Sequence, residues 1–413
     1  MWAAAMNVRT GNRGLMRELN SKLVLGWIRR SECISQVELL KKTRLSAGTV
    51  ANIVKDLKGR GFVAEVGLGR SVTGRRPVLL QFNPCARYVV GIEVTAAQTR
   101  VALVDLAGRI VPKTARTMAT APAAEAALRK ACTEALGMLK AMGVSPRTLL
   151  GAGLAIEGVV DPGQERLVLQ ANLGWRNVPA KELLEKALGV PAVVNNAGMA
   201  MVLGEYLHGV GKGCSSAVCL DVDAGVGAVA ILDGRVLRGA HGMAGEIGHN
   251  RAVVKGDLCS CGKRGCLETV ASAKAIVAKV AAARADARGS SLPDAIRSLS
   301  TPAALRTIGK AARQGDPLAR HVLQGAARYL GIAAAGCINL LDPELLILTG
   351  MVTYESGDLL LDFVRQAVGE HVLQDGGRAV RIERGTLGNN AAMIGAAAAV
   401  CERAFRVPVE AEN

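Results

Sequence analysis

One layout occurs twice in this chain. Residues 89–94 form an apolar run followed by a turn, by residues 100–105 and, after a second turn, by residues 108–111. Residues 217–222 lead in the same way through Asp223-Ala224-Gly225-Val226 into residues 227–232, and Asp233-Gly234 turns the chain into residues 235–237. Short apolar runs bounded by turn residues read as strands. Each first strand carries an acid near its end, Glu93 and Asp221. Helical stretches are expected at 123–142 and 181–188, so the repeated unit is β-β-β-α. Such a duplication predicts an α/β body of two similar lobes with a cleft between them; two unrelated α/β domains are the alternative. The chain has 413 residues, half of them apolar and only 3% aromatic, so its cores are expected to be packed from Ala, Val and Leu. That apolar content excludes disorder over most of its length.

Charge separates the first 84 residues from the rest. They hold 15 Lys and Arg against 5 Asp and Glu, a net of +10, whereas the whole chain carries +16. A basic module on a nearly neutral body points to a polyanion as partner. Leu15, Leu19, Leu23 and Trp27, with Met16, Val24 and Ile28 beside them, predict a buried first helix. Ser35 and Glu38 form a capping-box pattern that opens a second helix, ending near Thr43. Ser46 is the expected cap of a third, in which Val50, Ile53, Val54 and Leu57 make a one-sided apolar stripe. Residues 62–66 and 78–82 read as strands flanking a Gly-rich loop with Arg70, Arg75 and Arg76. Together these predict a winged helix-turn-helix domain over residues 1–84. In it Gln36, Ser46, Ala47, Thr49, Asn52 and Lys55 would face double-stranded DNA, and the three arginines of the wing would reach phosphates or the minor groove.

The chain has ten cysteines and no secretory signal pattern, which argues for reduced thiols or metal ligation. Cys259, Cys261 and Cys266 fall within eight residues, ten positions beyond His249. Three thiols and an imidazole are the ligand composition of a closed tetrahedral zinc site, and Gly262-Lys263-Arg264-Gly265 allows a tight loop around the ion. One structural zinc per chain is expected. No stretch supplies the roughly 20 consecutive apolar residues that a spanning helix needs, and a cytoplasmic chain with no membrane partner is expected.

The segments Gly245-Glu246-Ile247-Gly248-His249, 259–268, Asn339-Leu340-Leu341-Asp342-Pro343-Glu344 and 388–397 resemble the ROK family of repressors and sugar kinases. The basic module, with Gly74-Arg75-Arg76-Pro77 in its wing, is similar to that of the family's xylose and N-acetylglucosamine regulators. The resemblance implies an actin/hexokinase-like body over residues 85–413. Its first lobe would span about 85–197 plus the C-terminal helix, and its second lobe, about 198–385, would carry the zinc loop. It further implies that Glu246, His249 and Glu268 hold or position sugar hydroxyls, with His249 also on zinc, and that the chain forms a homodimer or tetramer on a pseudo-palindromic operator.

The departures from the family separate regulator from kinase. The kinases' Asp-Ile-Gly-Gly-Thr phosphate loop is replaced by Glu93-Val94-Thr95-Ala96-Ala97, which lacks both glycines. Aligned through Leu203-Gly204-Glu205, the position of the family's catalytic Asp is Ala197; a one-residue shift supplies Asn196 instead, which can hydrogen-bond but also cannot accept a hydroxyl proton at neutral pH. Thr349-Gly350-Met351 stands where the family has Gly-Gly, and Glu157-Gly158 where it has Pro-Gly. The expectation is a DNA-binding repressor of carbohydrate genes. Its sugar or sugar-phosphate effector would contact Asn196, Glu246, His249 and Glu268, with no catalytic residue and no ATP. A ROK-type sugar kinase is the alternative.

Overall fold

The computed structural model describes residues 13–69, 76–161, 163, 165–240, 243–373 and 380–405. It begins with α1 (Arg13–Arg30), β1 (Ile34–Ser35), α2 (Gln36–Thr43), α3 (Ala47–Gly59), β2 (Val63–Leu68) and β3 (Val78–Phe82). The expected capping box is formed: Ser35 Oγ accepts from Glu38 N at 3.2 Å, and Ser35 N donates to Glu38 Oε2 at 2.8 Å. Arg44, in a left-handed conformation at φ 57°, turns the chain from α2 towards Ser46, whose hydroxyl caps α3. Val50, Ile53, Val54 and Leu57 are all buried, as the stripe predicts.

Two expectations for this module need correction. Leu15 and Met16 are 43% and 51% exposed, so α1 buries only its later turns through Val24, Leu25 and Ile28. β1, too short to leave a periodic signal, pairs Ile34 and Ser35 with Leu80 and Leu79, so the hairpin becomes a sheet of order β1-β3-β2.

The body continues with β4 (Tyr88–Val94), β5 (Gln98–Asp105), β6 (Arg116–Ala119), α4 (Ala124–Ala141), β7 (Leu149–Ile156), β8 (Val159–Asp161), β9 (Arg166–Gln170), β10 (Trp175–Val178), α5 (Ala180–Leu188), β11 (Ala192–Asn196) and α6 (Ala197–His208). Then follow β12 (Ala217–Val222), β13 (Val226–Leu232), β14 (Arg235–Val236), α7 (Glu268–Ala271), α8 (Ala273–Ala283), α9 (Thr301–Arg313), α10 (Pro317–Leu341), β15 (Leu345–Thr349), α11 (Met351–Ser356), α12 (Asp358–His371), β16 (Arg381–Arg384) and α13 (Ala391–Phe405).

The duplication is seen directly in two five-stranded sheets, β11-β7-β4-β5-β6 and β14-β13-β12-β15-β16. In each, the first strand of the repeat is antiparallel to the next and parallel to a later one: β4 to β5 and β7, β12 to β13 and β15. The third strand of the first copy is not 108–111, where Ile110 makes only an isolated bridge to Val104. Asp105 Oδ1 accepts from the backbone N–H groups of Ala107 and Arg109, both at 2.9 Å, which curls that segment into a turn. The strand forms later, as β6.

The last helix, α13, packs on β4 and β7 and against α6. The approach is close: a Cβ on Gly395 would lie 1.6 Å from the Ala200 carbonyl oxygen. The outer residues of α13 join a hydrophobic cluster that includes Val24, Ile28, Leu39, Val54 and Leu80 of the N-terminal module together with Val89, Val193, Ala397 and Val400. No helix among the described residues is long and apolar enough to cross a membrane.

Candidate metal centre and interlobe cleft

The donor atoms of His249, Cys259, Cys261 and Cys266 all lie within 4.8 Å of one another. Cys261 Sγ is 3.7 Å from Cys266 Sγ, and Cys259 Sγ is 3.6 Å from His249 Nδ1. Tetrahedral zinc with Zn–S bonds of about 2.3 Å places neighbouring sulfurs about 3.8 Å apart, so the donor set fits that ion. The loop is built by its backbone. Cys259 N donates to the Lys263 carbonyl at 2.8 Å and Gly262 N to that of Cys259 at 2.9 Å. Gly265 has φ +76°, and a Cβ there would lie 1.8 Å from the Val253 carbonyl oxygen, so only glycine lets Cys266 return to the cluster. The other ring nitrogen of His249, Nε2, is 4.0 Å from Glu246 Oε2.

The metal loop runs into α7, whose first residue is Glu268. A Cβ on Gly225, in the β12–β13 turn, would lie 2.7 Å from Glu268 Oε2, and Ala273 N donates to the Asp223 carbonyl at 2.8 Å. Loop and turn are therefore one packed unit, and Glu268 stands beside the β12 end of the second sheet. Asn196 sits at the matching end of the first sheet. Its Oδ1 accepts from Met199 N at 2.7 Å and caps α6, so the oxygen offered to a ligand by the sequence reading is already engaged by the helix. Ala197 is the first residue of α6.

The structure adds acidic features that periodicity could not reveal. Glu157 Oε2 accepts from the backbone N–H of Ala96 at 3.1 Å. A turn amide that could meet a phosphate is thus taken by a carboxylate. Glu93 pairs with Arg100 at 2.9 Å. Burial pushes both glutamates above the usual carboxylate range, and Asp223 adds to each shift. Asp221, at the end of β12, is pushed up to about 7, first by burial and then by Asp223. Its Oδ1 is buried and has no hydrogen-bond partner.

In the N-terminal module, Gln36, Ala47, Asn52 and Lys55 are exposed, while Thr49 is half-buried and shares a 2.8 Å hydroxyl contact with Ser46. Arg76 is exposed, its Nε donating to the Gly69 carbonyl at 2.9 Å. Arg70 and Arg75 lie outside the described residues.

The ROK family profile matches residues 89–403, and the chain belongs to the ROK family. It is similar to the xylose repressor of Bacillus subtilis, 30% identical over 94% of this chain and 96% of the relative. The N-acetylglucosamine repressor of Shigella flexneri is 28% identical over 88% of each. Among solved structures, a ROK family transcriptional regulator described as a homolog of the Escherichia coli MLC protein superposes with TM-score 0.81 at 27% identity, covering 94% of this chain and 96% of its own. A ROK family glucokinase from Streptomyces griseus, solved with glucose and AMPPNP, gives TM-score 0.63 at 30% identity. It covers 98% of its own chain but 75% of this one.

Proposed function

We propose that this chain is a DNA-binding transcriptional repressor of carbohydrate genes, controlled by a sugar or sugar-phosphate bound between its lobes. The observation that carries the reading is the extent of the likeness. Regulators match the chain from its basic helices to its last helix, whereas the glucokinase accounts for about three quarters of it. The kinase alternative is disfavoured by Ala197, which offers no proton acceptor, and by the Glu157 carboxylate on the Ala96 amide.

In this reading residues 1–84 are a winged helix-turn-helix. α3 enters the major groove and presents Ala47, Thr49, Asn52 and Lys55, with Gln36 and Ser46 near the backbone and Arg70, Arg75 and Arg76 on the wing. Residues 85–413 are the effector-binding body, with a first lobe of 85–197 plus α13 and a second of 198–385. One zinc, held by His249, Cys259, Cys261 and Cys266, is structural, because four protein donors leave no open position. Glu246, His249 and Glu268 meet the effector, with Asn196 alongside, and no ATP is used. A homodimer or tetramer places paired modules on a pseudo-palindromic operator.

The test pairs two assays on purified protein. Operator binding titrated with a panel of free and phosphorylated sugars should show release, or tightening, by one of them. ATP-coupled phosphorylation of the same panel should show no turnover. Turnover without any effect on DNA would establish the kinase instead.

A further inference from the structure

We infer that a cavity between the outer strands of the two large sheets is a second binding site, built for a small organic anion with an apolar body. β11 is the outer strand of the first sheet and β14 that of the second. α6 leaves β11 and packs beside β13, and its Met199, Leu203 and Tyr206 share one face at i, i+4 and i+7. That face, the two strands, the last turns of α13 and Lys22 of α1 line a cavity of about 820 Å³. Small-ligand sites usually measure about 300–1,000 Å³. Glu246, His249 and Glu268, the residues proposed for the sugar, are not in its wall.

Asn195 lines this cavity and is only 8% exposed, yet its side-chain amide has no hydrogen-bond partner among the described residues. Buried polar groups are nearly always bonded, so this amide is left for something that enters the cavity. Side chains alternate along a strand. Asn195 therefore shares a face with Val193, which packs among residues of α13 and the basic module, and not with Asn196. Most charges in the wall are spent on one another. Glu165 is held by Arg403 at 2.7 and 2.8 Å and by Lys181 at 2.9 Å, and Lys22 is held by Glu18 at 2.9 Å. Arg235 and Arg238 are exposed and bond to no carboxylate among the described residues, while Glu402 is the carboxylate of the wall left without a cation. Two free guanidiniums against one free carboxylate leave the cavity positive. The Tyr206 hydroxyl donates to the Cys214 carbonyl at 2.7 Å, so this residue offers only its ring. Leu203 and Leu207 are half-buried and Leu237 is 41% exposed, which keeps apolar surface on the cavity. Guanidinium suits carboxylate or phosphate oxygens, the apolar face suits the ligand's body, and the Asn195 amide suits a hydroxyl or carbonyl oxygen on it. A bare inorganic anion would leave the apolar face in water, and a neutral molecule would leave the arginines unused.

The test is calorimetric titration of the full-length, zinc-loaded protein with benzoate, hexanoate and phenyl phosphate, beside neutral benzamide and inorganic phosphate. The expected result is one site per chain for at least one of the organic anions, about tenfold tighter than benzamide and than inorganic phosphate, as one charge-assisted contact and one apolar body allow. The ranking of benzoate against phenyl phosphate tells whether the head group is a carboxylate or a phosphate. The advantage over benzamide should disappear when Arg235→Gln and Arg238→Gln are combined, since both side chains are exposed and the fold does not depend on them. Asn195→Asp keeps the shape, places a negative charge in the wall and should abolish anion binding. The bound anion should also raise the Tm of the wild-type protein but not of the double arginine variant, because a ligand of the folded state stabilises it by mass action. Inorganic phosphate that binds as tightly as the organic anions overturns the inference, and so does anion binding that survives in the double arginine variant. Absence of binding by every organic anion overturns it as well and leaves the sugar-effector reading standing.

Discussion

The guanidinium of Arg29 in α1 lies 5.0 Å above the ring of Phe405 at the end of α13, and Phe62 meets the same ring edge-on at 5.9 Å. This contact joins the basic module to the helix that also braces α6 and the first sheet, so module and first lobe share one support. Phe405→Ala removes a half-buried ring and its cation–π partner and is expected to cost about 1–3 kcal/mol. The loss should appear as earlier proteolysis within residues 13–82 and weaker operator binding, with the zinc content unchanged. Unaltered proteolysis and DNA affinity would remove α13 from any role in supporting the module.

Metal and loop should stand or fall together. Cys266→Ala deletes a buried thiol and is expected to reduce zinc from about one per chain to near none and to expose the loop between Arg251 and Glu268 to protease. In such sites metal binding energy is folding energy. Elemental analysis beside limited proteolysis decides it; full zinc retention would mean that the ligand set is wrong.

DNA affinity should depend on salt through the basic module. If Lys55 and Arg76 each neutralise a phosphate, log K should fall with log salt by about 0.9 per contact, and Lys55→Ala should make that slope shallower by about 0.9. Asn52→Ala should instead weaken specific binding by about 1–3 kcal/mol with little effect on random DNA. Fluorescence anisotropy at four salt concentrations separates the two. Equal losses on both kinds of DNA would make Asn52 a backbone contact.

Stability should fall as pH rises through the weakly acid range. Folded Asp221 keeps its proton up to about pH 7, while the same carboxyl in the unfolded chain releases its proton near its ordinary value of 3.8. Between these limits the folded state holds the extra proton, so raising the pH destabilises it, and the loss levels off above about 7. Asp221→Asn removes the buried charge and should raise Tm more at pH 8 than at pH 5. Thermal melts across that range check it, and a variant with the wild-type pH profile would show that Asp221 is not the group responsible.

Glu268→Gln should weaken effector binding by about 1.5–3 kcal/mol, as expected for loss of a charged acceptor, and leave operator affinity without effector near wild type. An unchanged effector midpoint would place recognition elsewhere in the cleft.

What the sequence made legible was local in character. The Ser35–Glu38 box, the stripe on α3 and the Cys-x-Cys loop each depend on residues within one or two turns of each other, so spacing reveals them. The duplicated strands were legible because each copy repeats the same order of apolar runs and turns. The bond from Ala96 to Glu157 spans 61 positions, and the seating of Phe405 beneath Arg29 spans most of the chain; no periodicity encodes either. The 108–111 segment was misread because its apolar residues fit a strand, while Asp105 offered the backbone a competing set of hydrogen bonds. The role of Asn196 as a helix cap emerges only once α6 begins at Ala197.

The position of α13 also bears on how the protein matures. Gly153 in β7 touches this helix so closely that a Cβ there would lie 2.0 Å from the Ala396 carbonyl oxygen, and the cluster around Val24 and Ile28 is completed by Val400 and Cys401. During synthesis the basic helices and the first sheet emerge long before residues 391–405, and until then both keep an apolar face uncovered. Contacts of such high sequence separation form late and slowly. A growing chain therefore carries basic helices that lack their final support until translation is nearly finished.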